Sequence, residues 1–70
     1  MKKRIVILGA GESGVGTALL AQQKGFDVFV SDASLINIDF KNELILNNID
    51  FEEGIHTKEK IFTADLVMKS

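Results

Sequence analysis

Residues Ile5-Val6-Ile7-Leu8 form a short β-branched apolar run that ends abruptly in Gly9-Ala10-Gly11-Glu12-Ser13-Gly14. This G-x-G-x-x-G constrains the chain more than any other feature. A continuous apolar run of this length suits a strand buried on both faces, as in a parallel sheet. Each glycine then has a physical reason. The first permits a tight turn off the strand, the second lets backbone approach a phosphate, and the third lets the following helix pack close to the strand. A helix starting near Ser13 would aim unpaired N–H groups and its dipole at the same spot. Ser13 is expected to act as the N-cap, to donate its hydroxyl to a phosphate oxygen, or to do both, since a hydroxyl donates and accepts. Glu12 is awkward beside a phosphate and is expected to face solvent. Gly16 is expected to serve close helix packing.

The rest of the chain repeats the alternation. Val15–Lys24 reads as a helix with Val15, Ala18, Leu19 and Gln22 at helical spacing, and Gly25 sits where a C′ glycine belongs. Asp27–Ser31 contains Val-Phe-Val, a second buried-type strand, with Asp32 at its C-terminal end. Residues 33–38 read as loop. Asp39 is placed to cap a helix through Leu46, with Phe40 and Leu44 one turn apart and Asn47-Asn48 as its exit. Ile49–Glu52 makes a short strand, Thr57 caps a brief helix through Thr63, and Leu66–Lys69 is the last strand before Ser70. The order is β-α-β-α-β-α-β, which implies a Rossmann-like α/β fold with a parallel sheet and right-handed crossovers. Ligands of such sheets bind in the crevice at the strand ends. Because Ser70 follows the fourth strand directly, the reading is of an N-terminal fragment of a larger protein.

Context supports the glycine motif: it follows a strand, opens a helix and lies in a βαβ unit with an acid at the end of the second strand. Asp32 could read the ribose of a dinucleotide or the edge of a pyrimidine base, or serve only the strand-end turn. The single histidine, His56, is expected to be an exposed loop residue without a carboxylate, cysteine or serine partner. Glu52-Glu53 is expected to be solvated charge and not an acid/base pair. With net charge −2 and pI about 5.2, the chain lacks the basic face that nucleic acid demands, and Lys2-Lys3-Arg4 reads as a solvated lead-in. The absence of cysteine removes disulfides, thiolate metal sites and thiol nucleophiles. No apolar stretch approaches the roughly 20 residues of a membrane span, so the expected location is the cytoplasm. Open strand edges would allow the domain to self-associate.

The stretch Ile5–Gly14, with Val28-Phe29-Val30-Ser31-Asp32, Glu52-Glu53-Gly54-Ile55-His56-Thr57 and Ala64–Ser70, resembles the N-terminal domain of the UDP-N-acetylmuramoylalanine–D-glutamate ligases, a Mur ligase family of peptidoglycan synthesis. The resemblance covers essentially all 70 residues. It implies a three-domain ligase in which residues 1–70 belong to the domain holding the UDP part of UDP-N-acetylmuramoyl-L-alanine. The ATP- and magnesium-binding domain and the D-glutamate-binding domain would lie beyond residue 70, so this stretch would carry no cofactor, no metal site and no catalytic residue and would be inactive alone. The full enzyme would phosphorylate the substrate carboxylate, and the amine of D-glutamate would attack the acyl phosphate. Carried onto this chain, Gly11, Glu12, Ser13 and Gly14 would lie at the diphosphate, and Asp32, Ala33 and Ser70 at the uracil and ribose. The chain departs from the family at Ala33, where a hydroxyl residue is common; Ser34 stands next to it. Two other readings remain open: a nicotinamide or flavin dinucleotide domain of an oxidoreductase or regulator, and a non-catalytic nucleotide-sensing module.

Overall fold

In the computed structural model, which describes residues 2–70, the first apolar run is strand β1, Arg4–Leu8. Val6 and Ile7 are fully buried and Ile5 nearly so, as a strand covered on both faces requires. Helix α1 is Glu12–Gln23, β2 is Asp27–Asp32, α2 is Ile38–Leu46, β3 is Asp50–Glu53, α3 is Lys58–Ile61 and β4 is Leu66–Lys69. All strand pairs are parallel and the sheet order is β3-β2-β1-β4. The chain therefore steps outward from β1 to β2 to β3, then crosses back to place β4 on the other side of β1. The reversal puts a topological switch point between the C-terminal ends of β1 and β4, where ligands of open parallel sheets bind.

Alternation along the strands assigns the two faces. Ile5, Ile7, Val28 and Val30 point to one face and pack with Val15, Ala18 and Ala21 of α1 and Leu44 of α2. The small residues of α1 let it lie close on the sheet. Leu44 is the only buried residue of α2; its full burial contributes about 1.5–3 kcal/mol to docking that helix. Val6 and Phe29 point to the other face, where α3 lies. Phe29 is covered by the guanidinium of Arg4, 5.4 Å from the ring centroid, and by the ammonium of Lys60 at 5.6 Å. Long cationic side chains thus shield an aromatic ring that a helix of four residues covers only in part.

Several boundaries differ from the sequence reading, each for a local reason. Helix α1 starts at Glu12, earlier than expected, and its N-cap is Gly11 in extended backbone, so Ser13 lies inside the first turn and is not the cap. The cap of α2 is Asn37, whose Oδ1 accepts from the Asp39 amide at 2.9 Å, and Asp39 sits in the first turn. Thr57 precedes α3, but its hydroxyl donates to Glu52 Oε1 and makes no cap. Strand β3 begins at Asp50, with Ile49 buried ahead of it. Gln22 does not join the apolar stripe; it donates to the Asn47 carbonyl at 2.7 Å and holds the exit of α2. Gly25 follows the C-cap of α1 at φ +91°, as expected.

Two glycines of the motif hold as the turn and packing arguments require. Gly9 adopts φ +106°, and its amide donates to the Ser31 carbonyl at 2.8 Å. Gly14 is buried, and a Cβ built on it would overlap the Gly9 carbonyl oxygen. Gly16 does not pack closely: it is exposed, and nothing lies within 4 Å of a Cβ placed there. Replacing each with alanine should therefore change stability in opposite directions. Gly14→Ala is expected to destabilise by about 1–3 kcal/mol or more through overpacking, while Gly16→Ala should stabilise by roughly 0.5–1 kcal/mol through helix propensity. Urea midpoints moving in the same direction would contradict the close contact between the start of α1 and the end of β1.

Candidate functional site

The loop from Gly9 to Gly14 leaves β1 at the switch point, and three other segments converge on it. Ser70 continues β4 beside it, with its amide donating to the Leu8 carbonyl at 3.0 Å and its hydroxyl to the same oxygen at 3.2 Å. A Cβ on Gly9 would press on the Ser70 hydroxyl. At the end of β2, Asp32 Oδ2 accepts from the Ala10 amide at 2.8 Å, and Oδ1 accepts from the Ser34 amide at 2.8 Å. Gly11, Ser13, Gly14, Asp32 and Ser70 thus belong to one end of the sheet. Ala33 is exposed just after Asp32, and Ser34 is tied to β3 through its carbonyl, which accepts from the Gly54 amide at 3.0 Å.

The start of α1 has the properties of an anion site. Gly11, Glu12 and Ser13 are exposed, and no side chain caps the helix. The first N–H groups of a helix have no partner within it and carry about half a positive charge between them. A Cβ on Gly11 would meet nothing within 4 Å, so the absence of a side chain there leaves open space against the backbone. Glu12 is exposed in this first turn, as expected. Asp32, read from the sequence as a contact for base or ribose, already accepts two backbone N–H bonds. A carboxylate has about four lone-pair positions, so it can hold the loop and still accept from a ligand hydroxyl or N–H.

Glu52 and Glu53 are not merely solvated charge. Glu52 Oε2 accepts from the Thr57 amide at 2.8 Å and the Ser31 hydroxyl at 2.8 Å, and Oε1 accepts from the Thr57 hydroxyl at 2.5 Å. Burial alone would raise its pKa, but the bonds from Thr57 and Ser31, with the charge of Lys60, outweigh it and hold the carboxyl below its ordinary value. Glu53 is likewise lowered, by its bond to Lys41 (2.5 Å) and by the Ile36 amide at 2.9 Å. Nor does His56 lack a partner. Its Nδ1 is 2.6 Å from the hydroxyl of Ser31, the one polar residue among the described residues that is wholly buried. Ser31 is distant in sequence from both Glu52 and His56, and the hint available there was its hydroxyl inside an otherwise apolar strand.

A depression of about 590 Å³ lies at the opposite end of the strands, lined by residues including Arg4, Phe29, Asp50 and Lys60. It sits at the N-terminal ends of β1 and β3, away from the start of α1, and Arg4 there is paired with Asp27 at 2.9 Å. The switch point is the better site on both counts. Among the described residues no group of three His, Cys, Asp or Glu converges to hold a metal, and no helix is long and apolar enough to cross a membrane.

Residues 4–70 match the MurD N-terminal domain family. The chain is 56% identical over 70 residues to a Cytophaga hutchinsonii protein named UDP-N-acetylmuramoylalanine–D-glutamate ligase, covering all of this chain and 16% of that protein. It is 59% identical over 68 residues to a Bacteroides fragilis protein of the same name, covering 97% of this chain and 15% of the relative. A Chlorobium phaeobacteroides protein, again of that name, is 41% identical over 68 residues, with 97% of this chain and 14% of the relative covered. The chain thus spans 14–16% of the length of these curated relatives.

The carboxylate bonds make a pH prediction. Glu52 and Glu53 have lower pKa values folded than unfolded, so the unfolded chain binds more protons on acidification. Their contribution is complete above the ordinary carboxylate range and is lost as pH falls through the lowered folded values. Glu52→Gln should therefore flatten the acid limb of a plot of urea midpoint against pH. Parallel acid limbs for the two proteins would contradict the network.

Proposed function

We propose that this chain, which belongs to the MurD N-terminal domain family, holds the UDP moiety of UDP-N-acetylmuramoyl-L-alanine at the switch point between β1 and β4. The observation that carries this reading is the uncapped, exposed start of α1, braced from below by Asp32 through Ala10. The diphosphate would take the N–H groups of Gly11–Gly14 together with the Ser13 hydroxyl, and Glu12 would stay toward solvent. The uracil and ribose would lie over Asp32, Ala33 and Ser70. At Ala33 any polar contact would come from backbone.

In this reading the chain contributes substrate binding to an ATP-dependent ligase that adds D-glutamate in peptidoglycan synthesis, in the cytoplasm. The relatives' shared name, UDP-N-acetylmuramoylalanine–D-glutamate ligase, supports the ligation of D-glutamate. ATP and magnesium would be held by other parts of such an enzyme. The domain's share is to bind and orient the UDP end while the reacting carboxylate is presented elsewhere.

An amide-shift titration with UDP-N-acetylmuramoyl-L-alanine and, separately, NAD tests this. Shifts at Gly11, Ser13, Gly14 and Asp32 with the UDP sugar and not with NAD are expected. The reverse would assign a dinucleotide domain instead. Gly11→Val should remain folded, since its Cβ has open space, and should lose UDP binding by blocking phosphate approach. Unchanged binding in that folded variant would sink the cradle assignment.

A further inference from the structure

Ser31 is wholly buried, yet three polar atoms crowd its hydroxyl: Glu52 Oε2 at 2.8 Å, His56 Nδ1 at 2.6 Å and the Ile55 carbonyl oxygen at 3.4 Å. A serine hydroxyl has one proton to donate. Glu52, held below its ordinary pKa by the bonds described above, is ionised at neutral pH and only accepts. If Nδ1 of His56 carried no proton, it too would only accept. Two acceptors would then compete for one proton, and one of the two short contacts would set lone pair against lone pair. A proton on Nδ1 removes the conflict: His56 donates to Ser31, and Ser31 donates to Glu52.

We propose that His56 is a positioning residue of the crevice, carrying a proton on Nδ1, and that the relay His56 to Ser31 to Glu52 locks the 54–57 loop onto the end of β2. The lock matters because the same residue reaches the phosphate loop. The main-chain carbonyl of Ser31 accepts from the Gly9 amide at 2.8 Å, and its neighbour Asp32 accepts from Ala10. The 54–57 loop is also tied to the segment after Asp32 by the Gly54 bond to Ser34. His56 therefore acts on the crevice through Ser31. This deepens the UDP-binding reading, but its first test does not depend on it.

That test is a long-range proton–nitrogen spectrum of the His56 imidazole in the unliganded chain at alkaline pH. The expected spectrum has Nδ1 protonated and Nε2 bare, with the preference lost in Ser31→Ala. A dominant Nε2–H tautomer in the unsubstituted chain overturns the proposal, whatever the variants do. The second arm is rescue. His56→Asn places an N–H close to where Nδ1–H was and should keep the Gly9 and Ala10 amide shifts and the UDP affinity. His56→Leu should move those shifts and weaken UDP by about threefold or more, the scale of one lost hydrogen bond. Equal behaviour of the Asn and Leu variants would overturn the positioning role. If the unsubstituted chain binds no UDP, the binding assignment falls, while the tautomer and amide shifts still decide this one.

Discussion

Asp32 commits both carboxylate oxygens to backbone N–H groups, one from Ala10 in the glycine loop and one from Ser34 in the segment that leads to α2. With Ser31 before it, this two-residue strand end is the point on which the upper rim of the sheet depends. The Ser31 carbonyl holds Gly9, and its side chain holds Glu52 and His56. Hydrogen bonds to a charged acceptor contribute about 1.5–3 kcal/mol each, and here they act on a loop whose glycines would otherwise leave it loose. The strand end therefore does what a capping side chain does at an ordinary helix start, but from beneath, and it leaves the N–H groups of α1 facing outward.

This division of labour suits a nucleotide site. A helix start that filled its own donors would have nothing to offer a diphosphate. One supported by nothing would lose much of its binding energy in becoming ordered. In this domain the close contact of Gly14 with Gly9 sets the angle of α1, the Asp32 brace sets the loop, and Ser70 closes the far side from β4. Strand order is what brings these together, because only the return of the chain across β1 sets β4 beside the glycine loop.

Much of this was legible in the residues. The β-branched runs at Ile5–Leu8 and Val28–Val30 read as buried strands because both faces of the sheet centre are covered, so no polar alternation blurs them. Gly9 and Gly14 read correctly because φ +106° and a Cβ overlap leave other residues no place there. Gly16 misled because a glycine beside a motif need not share its reason. Asp39 and Asn37 both suit a cap, and only backbone geometry chooses between them. His56 is exposed in its loop, as read, but the Ser31 partner that it shares with Glu52 was missed because it lies 25 and 21 positions away along the chain. No local pattern announces such a pairing, although a serine inside Val-Phe-Val-Ser was a polar group that burial would oblige to find one.

In the proposed reading the phosphates bind at the outward-facing start of α1. A crystal structure of the chain with UDP tests it most directly. Diphosphate oxygens are expected within hydrogen-bonding distance of the Glu12, Ser13 and Gly14 amides, with the Asp32–Ala10 bond intact. A diphosphate seated instead between Arg4 and Lys60, at the opposite end of the strands, would contradict it.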